Sequence, residues 1–179
     1  GLLRLGVIPT IGPYLLPAAL PTVRRRYPDL RLYLHEALTD ALLERLAVGR
    51  LDAVLVATPF DLRGMVSLDL GEEDVVAALP AEHPLAARAA VSEADLADET
   101  LLMLEDGHCL RDHALSACHL DRGRAETRFQ ATSVSTLTQM VAAGLGVTLL
   151  PRMAVAREVT PDGGVVVRDL AEARPARTL

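Results

Sequence analysis

The sequence predicts an α/β fold of two lobes joined by crossing strands. Two patterns lead there. Short apolar runs alternate with amphipathic stretches at intervals of roughly twenty residues, the rhythm of strands linked by crossover helices. At 179 residues the chain suits one domain or two small lobes, and its 50% hydrophobic and 23% charged residues describe a globular chain.

The elements follow in order. Leu2–Pro9, apolar and bounded by Gly1 and Thr10, reads as a strand. Tyr14–Arg26 has apolar residues at helical spacing, with its prolines expected early or near a turn edge. Leu30–Glu36 alternates as a strand. Thr39 reads first as the N-cap of a helix over Asp40–Val48, closed by Gly49, and Leu51–Ala57 is a third strand. Met65–Leu70 and Asp74–Leu79 read as two further strands, and Pro80–Pro84 as a crossing between lobes. Ser92–Ala97 is a short helix capped by Ser92 with Asp95. Strands are expected at Leu101–Leu104, Thr127–Ala131, Val147–Leu150 and Gly164–Leu170, and helices at Leu110–Ala117 and Ser133–Ala143. Ligands in such folds lie at strand C-terminal ends and between lobes, where Thr10 and Thr39 stand.

Residue usage narrows the chemistry. All 18 basic residues are Arg, so no lysine is present for a Schiff base or a P-loop. Trp is absent and aromatics are 3%, which argues against stacking platforms for bases or sugars. The net charge of −6 suits nucleic acid poorly. No apolar run is long enough to span a membrane, and no signal peptide is read.

The reactive side chains gather in one window. The two cysteines, Cys109 and Cys118, lie in the stretch HCLRDHALSACH with His108, His113 and His119. Three chemistries compete. A static disulfide conflicts with the expected helix, because nine helical residues span about 13.5 Å and a bridge needs Cα atoms within about 7 Å. A metal site built on Cys109, His113, Cys118 and His119 lacks the usual paired-cysteine spacing. A redox switch fits better. A helix N-terminus, His108 and Arg111 would all favour a Cys109 thiolate, which peroxide oxidises to a sulfenic acid that Cys118 could capture. The helix that opposes a static bridge would then have to rearrange, as a sensor requires. Two unrelated buried thiols are the remaining possibility.

Four strings carry a resemblance over essentially the whole chain: GVIPTIGPYLLP (6–17), YLHEALTDALLERLAVGRLDAVLVA (33–57), LLMLEDGHCLRDHA (101–114) and ATSVSTLTQMVAAGLGVTLLP (131–151). They resemble the regulatory domain of the LysR-type transcriptional regulators and, through GHCLRD with a second cysteine nine residues after the first, its hydrogen-peroxide-sensing branch. The resemblance implies a LysR-type effector-binding domain of two lobes like those of periplasmic binding proteins, lobe I over 1–71 and lobe II over 72–179, with a redox segment at 105–119. It implies that Cys109 is the peroxide-reactive cysteine and Cys118 its resolving partner in a redox-active disulfide. It places Thr10, Thr39, His35, His108, Asp112 and Arg177 around the peroxide, and implies no cofactor, no metal and no enzymatic turnover. It further implies a cytoplasmic homodimer or homotetramer, an activator acting on DNA through an N-terminal winged helix-turn-helix absent from this chain, and RNA polymerase as partner of the full-length protein. The family continues past Leu179 through a strand and a helix, so the C-terminal part of lobe I is expected to be missing here. Two other functions stay open: a LysR-type domain binding a small organic effector without redox chemistry, and a thiol peroxidase.

Overall fold

The structure is a computed structural model that describes residues 1–58, 60–62, 64–112, 130–171 and 176–179. Its first lobe is built on a parallel sheet of β1 (Leu2–Val7), β2 (Arg31–Glu36) and β3 (Ala53–Leu55), ordered β2–β1–β3 among the described residues. Parallel neighbours need crossovers. Helices α1 (Gly12–Arg26) and α2 (Thr39–Ala47) supply them. Val7, Ile8, Ile11, Leu42, Leu51 and Ala57 close the core between them.

Helix α1 begins two residues earlier than expected and holds Pro17 and Pro21 in its interior. An interior proline commonly costs about 3 kcal/mol. Here Pro13, Pro17 and Pro21 are spaced by four and all exposed, so the carbonyls left without a donor face water.

The second lobe has a mixed sheet, in which closely spaced strands run antiparallel. Strand β4 (Glu72–Pro80) runs antiparallel to β8 (Thr148–Pro151), β9 (Val165–Leu170) and β10 (Ala176–Thr178), and β5 (Ala90–Val91) lies parallel to β9. Strands β6 (Met103–Leu104) and β7 (Gln130–Ala131) pair in parallel, and a Leu101–Val147 bridge ties them toward β8. The unbroken Val75–Leu79 run is buried on both faces, which suits a central strand. Helices α3 (Glu93–Ala97), α4 (Val134–Ala142) and α5 (Arg152–Glu158) belong to this lobe among the described residues. The capping box expected at α3 is present: Ser92 Oγ accepts from the Asp95 amide, and Asp95 accepts from Ser92.

Two expectations are corrected. Met65–Leu70 forms no strand; it has no regular structure, with Val66 and Leu68 exposed, and the Leu70 amide donates to the Leu179 carbonyl. Pro80–Pro84 is not a crossing. It is a turn entering a 3-10 helix (Pro84–Ala87) within the second lobe, held by the Ala81 amide on Gly164. The lobes are joined through residues 58–72 and by β10, whose Thr178 bridges Thr58 of the first lobe while pairing with Glu72.

At Gly146, a Cβ would stand 2.3 Å from the Thr100 carbonyl oxygen. Gly146→Ala therefore has to displace the Thr100–Val147 pairing. The expected loss is about 2 kcal/mol, read as a lower urea midpoint with an unchanged slope.

Candidate functional site

Cys109 opens a helical turn over residues 109–112. Gly107 precedes it at φ +93°, a backbone that favours glycine, and a side chain there would meet Leu38. This bend turns Cys109 away from its own lobe. The side chain is 4% exposed and packs in the first-lobe core beside Ile8, Ile11 and Ala57. Arg111 points the other way: its Nη1 donates to the Leu104 carbonyl at 2.9 Å and its Nε lies 3.1 Å from Asp106, pinning the base of the turn.

Thr10, Thr39, His108 and Cys109 surround one small cavity with Pro9 and Leu38, too narrow to hold a water-sized sphere. Thr10 and Thr39 are each 1% exposed. Thr39 does not cap α2. It is the first helical residue, Leu38 takes the cap position, and the Thr39 hydroxyl is buried without a well-aligned partner. It lies toward the Cys109 sulfur, near enough to favour the thiolate.

Arg177 on β10 closes the site from behind, fully buried. Its Nη1 donates to Thr10 Oγ1 at 2.8 Å and its Nη2 to the Thr10 carbonyl at 2.9 Å. On its other side Nε and Nη2 meet Glu73 Oε2 at 2.8 and 2.7 Å. The second Glu73 oxygen accepts from the Met153 amide at the start of α5. Above this network Tyr14 of α1 donates to Glu158 of α5 at 2.8 Å. Burial and the Glu158 carboxylate push the Tyr14 phenol well up.

The sulfur is more weakly acidic than the sequence led us to expect. Burial raises the Cys109 thiol above its ordinary value, while the Arg177 charge, the Thr39 hydroxyl and the amides of Ala57 and Cys109 pull it back. The expected help from Arg111 is absent because that guanidinium is engaged elsewhere. His108 supplies no charge either: burial holds its imidazole below 6.5, opposed by Glu105 at 4.0 Å.

Of the other anticipated residues, His35 is half-buried on β2 opposite Gly6 and Asp112 is exposed; neither lines the cavity. Cys118, His113 and His119 lie outside the described residues, as does the expected helix beyond residue 112 and the start of the Thr127–Ala131 strand. Among the described residues no group of three or more His, Cys, Asp or Glu could hold a metal ion. Glu73 was missed by sequence reasoning, since nothing in the run Glu72–Glu73–Asp74 singles out its middle member. A separate apolar groove of about 570 Å³ runs along the first lobe between Leu46, Val54 and Leu68, away from Cys109.

Two α/β lobes with a polar site closed between them define an effector domain of the LysR type. Residues 1–179 match the LysR substrate binding domain, and the chain belongs to that family. Within it, the chain is 46% identical over 179 residues to the DNA-binding transcriptional dual regulator OxyR of Escherichia coli K12, covering all of this chain and 58% of that protein. The crystal structure of the reduced form of OxyR matches with a TM-score of 0.87 at 46% identity, over 99% of this chain and 83% of that one. A cysteine-to-serine mutant of Corynebacterium glutamicum OxyR, bound to hydrogen peroxide, matches with a TM-score of 0.91 at 34% identity, over 99% of this chain and 56% of that one.

The His108 shift carries a pH signature. An unfolded histidine takes up a proton near pH 6.5 while buried His108 stays neutral, so the unfolded chain binds more protons and stability falls as pH drops through 6.5. Urea midpoints should decline from pH 6.5 toward about 5, and His108→Asn should remove part of that slope.

Proposed function

We propose that this chain is the peroxide-sensing domain of an OxyR-like LysR-type regulator, with lobes at 1–71 and 72–179 and Cys109 as the reacting sulfur. The observation that carries this reading is a cysteine buried in a cavity with two threonine hydroxyls and backed by an arginine. Because Thr10 Oγ1 accepts from Arg177, its own proton is free to be donated toward the cavity. The cavity admits peroxide only as its side chains shift. The sulfur, once deprotonated, attacks one peroxide oxygen. The S–O bond forms as the O–O bond breaks, and the second oxygen leaves as hydroxide and takes up a proton to become water. The donors around Cys109 stabilise the charge in transit.

Cys118 then attacks the sulfenic sulfur, forming the disulfide and releasing hydroxide, which becomes a second water. Because Cys109 is packed in the first-lobe core, bonding to Cys118 would disturb that packing, and oxidation would become a structural change. In the full-length protein that change would pass through a homo-oligomer to the DNA-binding domains and alter half-site spacing, and with it transcription by RNA polymerase. The relatives of this chain are bacterial transcriptional regulators, and the same role in the cytoplasm is proposed here. His35 and Asp112 are proposed to act after the segment moves, since neither lines the present cavity.

Stoichiometric peroxide should remove two hydrogens and join the Cys109 and Cys118 peptides in a mass spectrum; Cys118→Ser should instead gain one oxygen at Cys109. Failure of both would overturn the reading. Thr10→Val should slow oxidation by about tenfold, the loss of about 1.4 kcal/mol of transition-state stabilisation. It should also lower stability by about 1–3 kcal/mol, because Arg177 Nη1 loses its acceptor. Thr10→Ser should restore most of the rate.

A further inference from the structure

We infer that Glu73 is a positioning residue for Cys109: its carboxylate fixes the Arg177 guanidinium on Thr10 and screens the charge that Arg177 presents to the sulfur. The inference rests on the peroxide-sensing reading for its meaning, and on geometry for its substance. Glu73 is 7% exposed and Arg177 is fully buried. Nε and Nη2 of Arg177 share one Glu73 oxygen, while Nη1 bonds the Thr10 hydroxyl and Nη2 also reaches the Thr10 carbonyl. In a poorly polarisable interior such a pair projects far less field than a lone cation. The other Glu73 oxygen accepts the Met153 amide, so Arg177 is aimed by a carboxylate anchored to α5.

Other charged groups surround the network. Glu105, Asp106, Arg111 and Asp112 lie on the Cys109 segment beside neutral His108, and Arg111 is held by Asp106. Glu36 and Glu158 bear on Tyr14, which also feels Arg177. Asp74, next to Glu73, lies 3.7 Å from Arg152. Among the described residues, Arg177 is the charge that bears on Cys109, and burial is opposed by it first. A carboxylate locked onto that cation therefore sets how much sulfur is ionised at rest, while leaving the hydrogen bonds to Thr10 in place. Glu73 would thus hold the sensor quiet at low oxidant without dismantling the site.

The test is the titration of Cys109, followed by thiolate ultraviolet absorbance as the difference between proteins with and without Cys109→Ser, in the full-length protein carrying Cys118→Ser. Glu73→Gln should move the midpoint down by about one pH unit, giving about tenfold more thiolate near neutrality. Glu73→Asp should titrate close to the parent. A purely structural role would lower the melting temperature of Glu73→Gln and leave the midpoint where it was, and that result overturns the inference. A buried, unpaired Arg177 threatens folding of Glu73→Gln, so a second comparison decides independently. Arg177→Met alone strands the carboxylate and should raise the midpoint; adding Glu73→Gln to it should bring the midpoint back toward the parent. Equal midpoints in Arg177→Met and the double variant also overturn the inference. Peroxide is not used in either comparison, so an unreactive parent would sink the sensing function and leave the role of Glu73 standing.

Discussion

A guanidinium with no solvent exposure has to be compensated where it stands, and the compensation of Arg177 organises the rest of this molecule. Its partners come from both lobes: Thr10 follows the first strand of one, and Glu73 begins the long central strand of the other. Because a buried ion pair is strongly destabilised when one member is lost, the two lobes are held at one mutual position. β10 delivers the arginine and bonds the lobes through its backbone as well, at Thr58 and Glu72. The Tyr14–Glu158 bond repeats the linkage on the other side.

Cys109 depends on that arrangement. By chain it belongs to the second lobe, and by packing to the first. Its surroundings pull in opposite directions, since an apolar seat keeps the sulfur protonated while Arg177, Thr39 and two amides favour the anion. A fully ionised sulfur would be reactive toward many oxidants and electrophiles, and a purely apolar seat would leave it inert. The observed balance lies between these.

The parts of the fold that were legible in the sequence are those decided by local patterning. An apolar run placed β1, alternation placed β2, the apolar stretch after Gly49 placed β3, and the Ser92–Asp95 spacing placed a capping box. The errors share a physical origin in distant partners. Met65–Leu70 alternates like a strand, yet among the described residues no neighbour offers it a ladder. Thr39 has the composition of a cap and the position of a buried hydroxyl. Arg111 looks poised beside the sulfur in sequence, and the helical turn sends it to Leu104. The site was legible as a set of residue types, with Thr10, Thr39, His108 and Cys109 brought together. Its electrostatics were not, because they depend on how deeply the sulfur is buried and on the Ala57 amide, which is far from Cys109 in the chain and carries no local mark of its use.

The seat of Cys109 also separates two clocks. On the proposed chemistry, oxygen reaches the sulfur at a speed fixed by how much of it is ionised. On the same proposal, bond formation with Cys118 would need the sulfur to become accessible beside Ile8 and Ile11, an opening governed by packing and temperature. The sulfenic intermediate would therefore persist for a dwell time that packing sets, and in that interval a reductant small enough to enter could erase the signal before it is committed. On that proposal the first-lobe core would act as a delay line, filtering brief oxidant pulses from sustained ones.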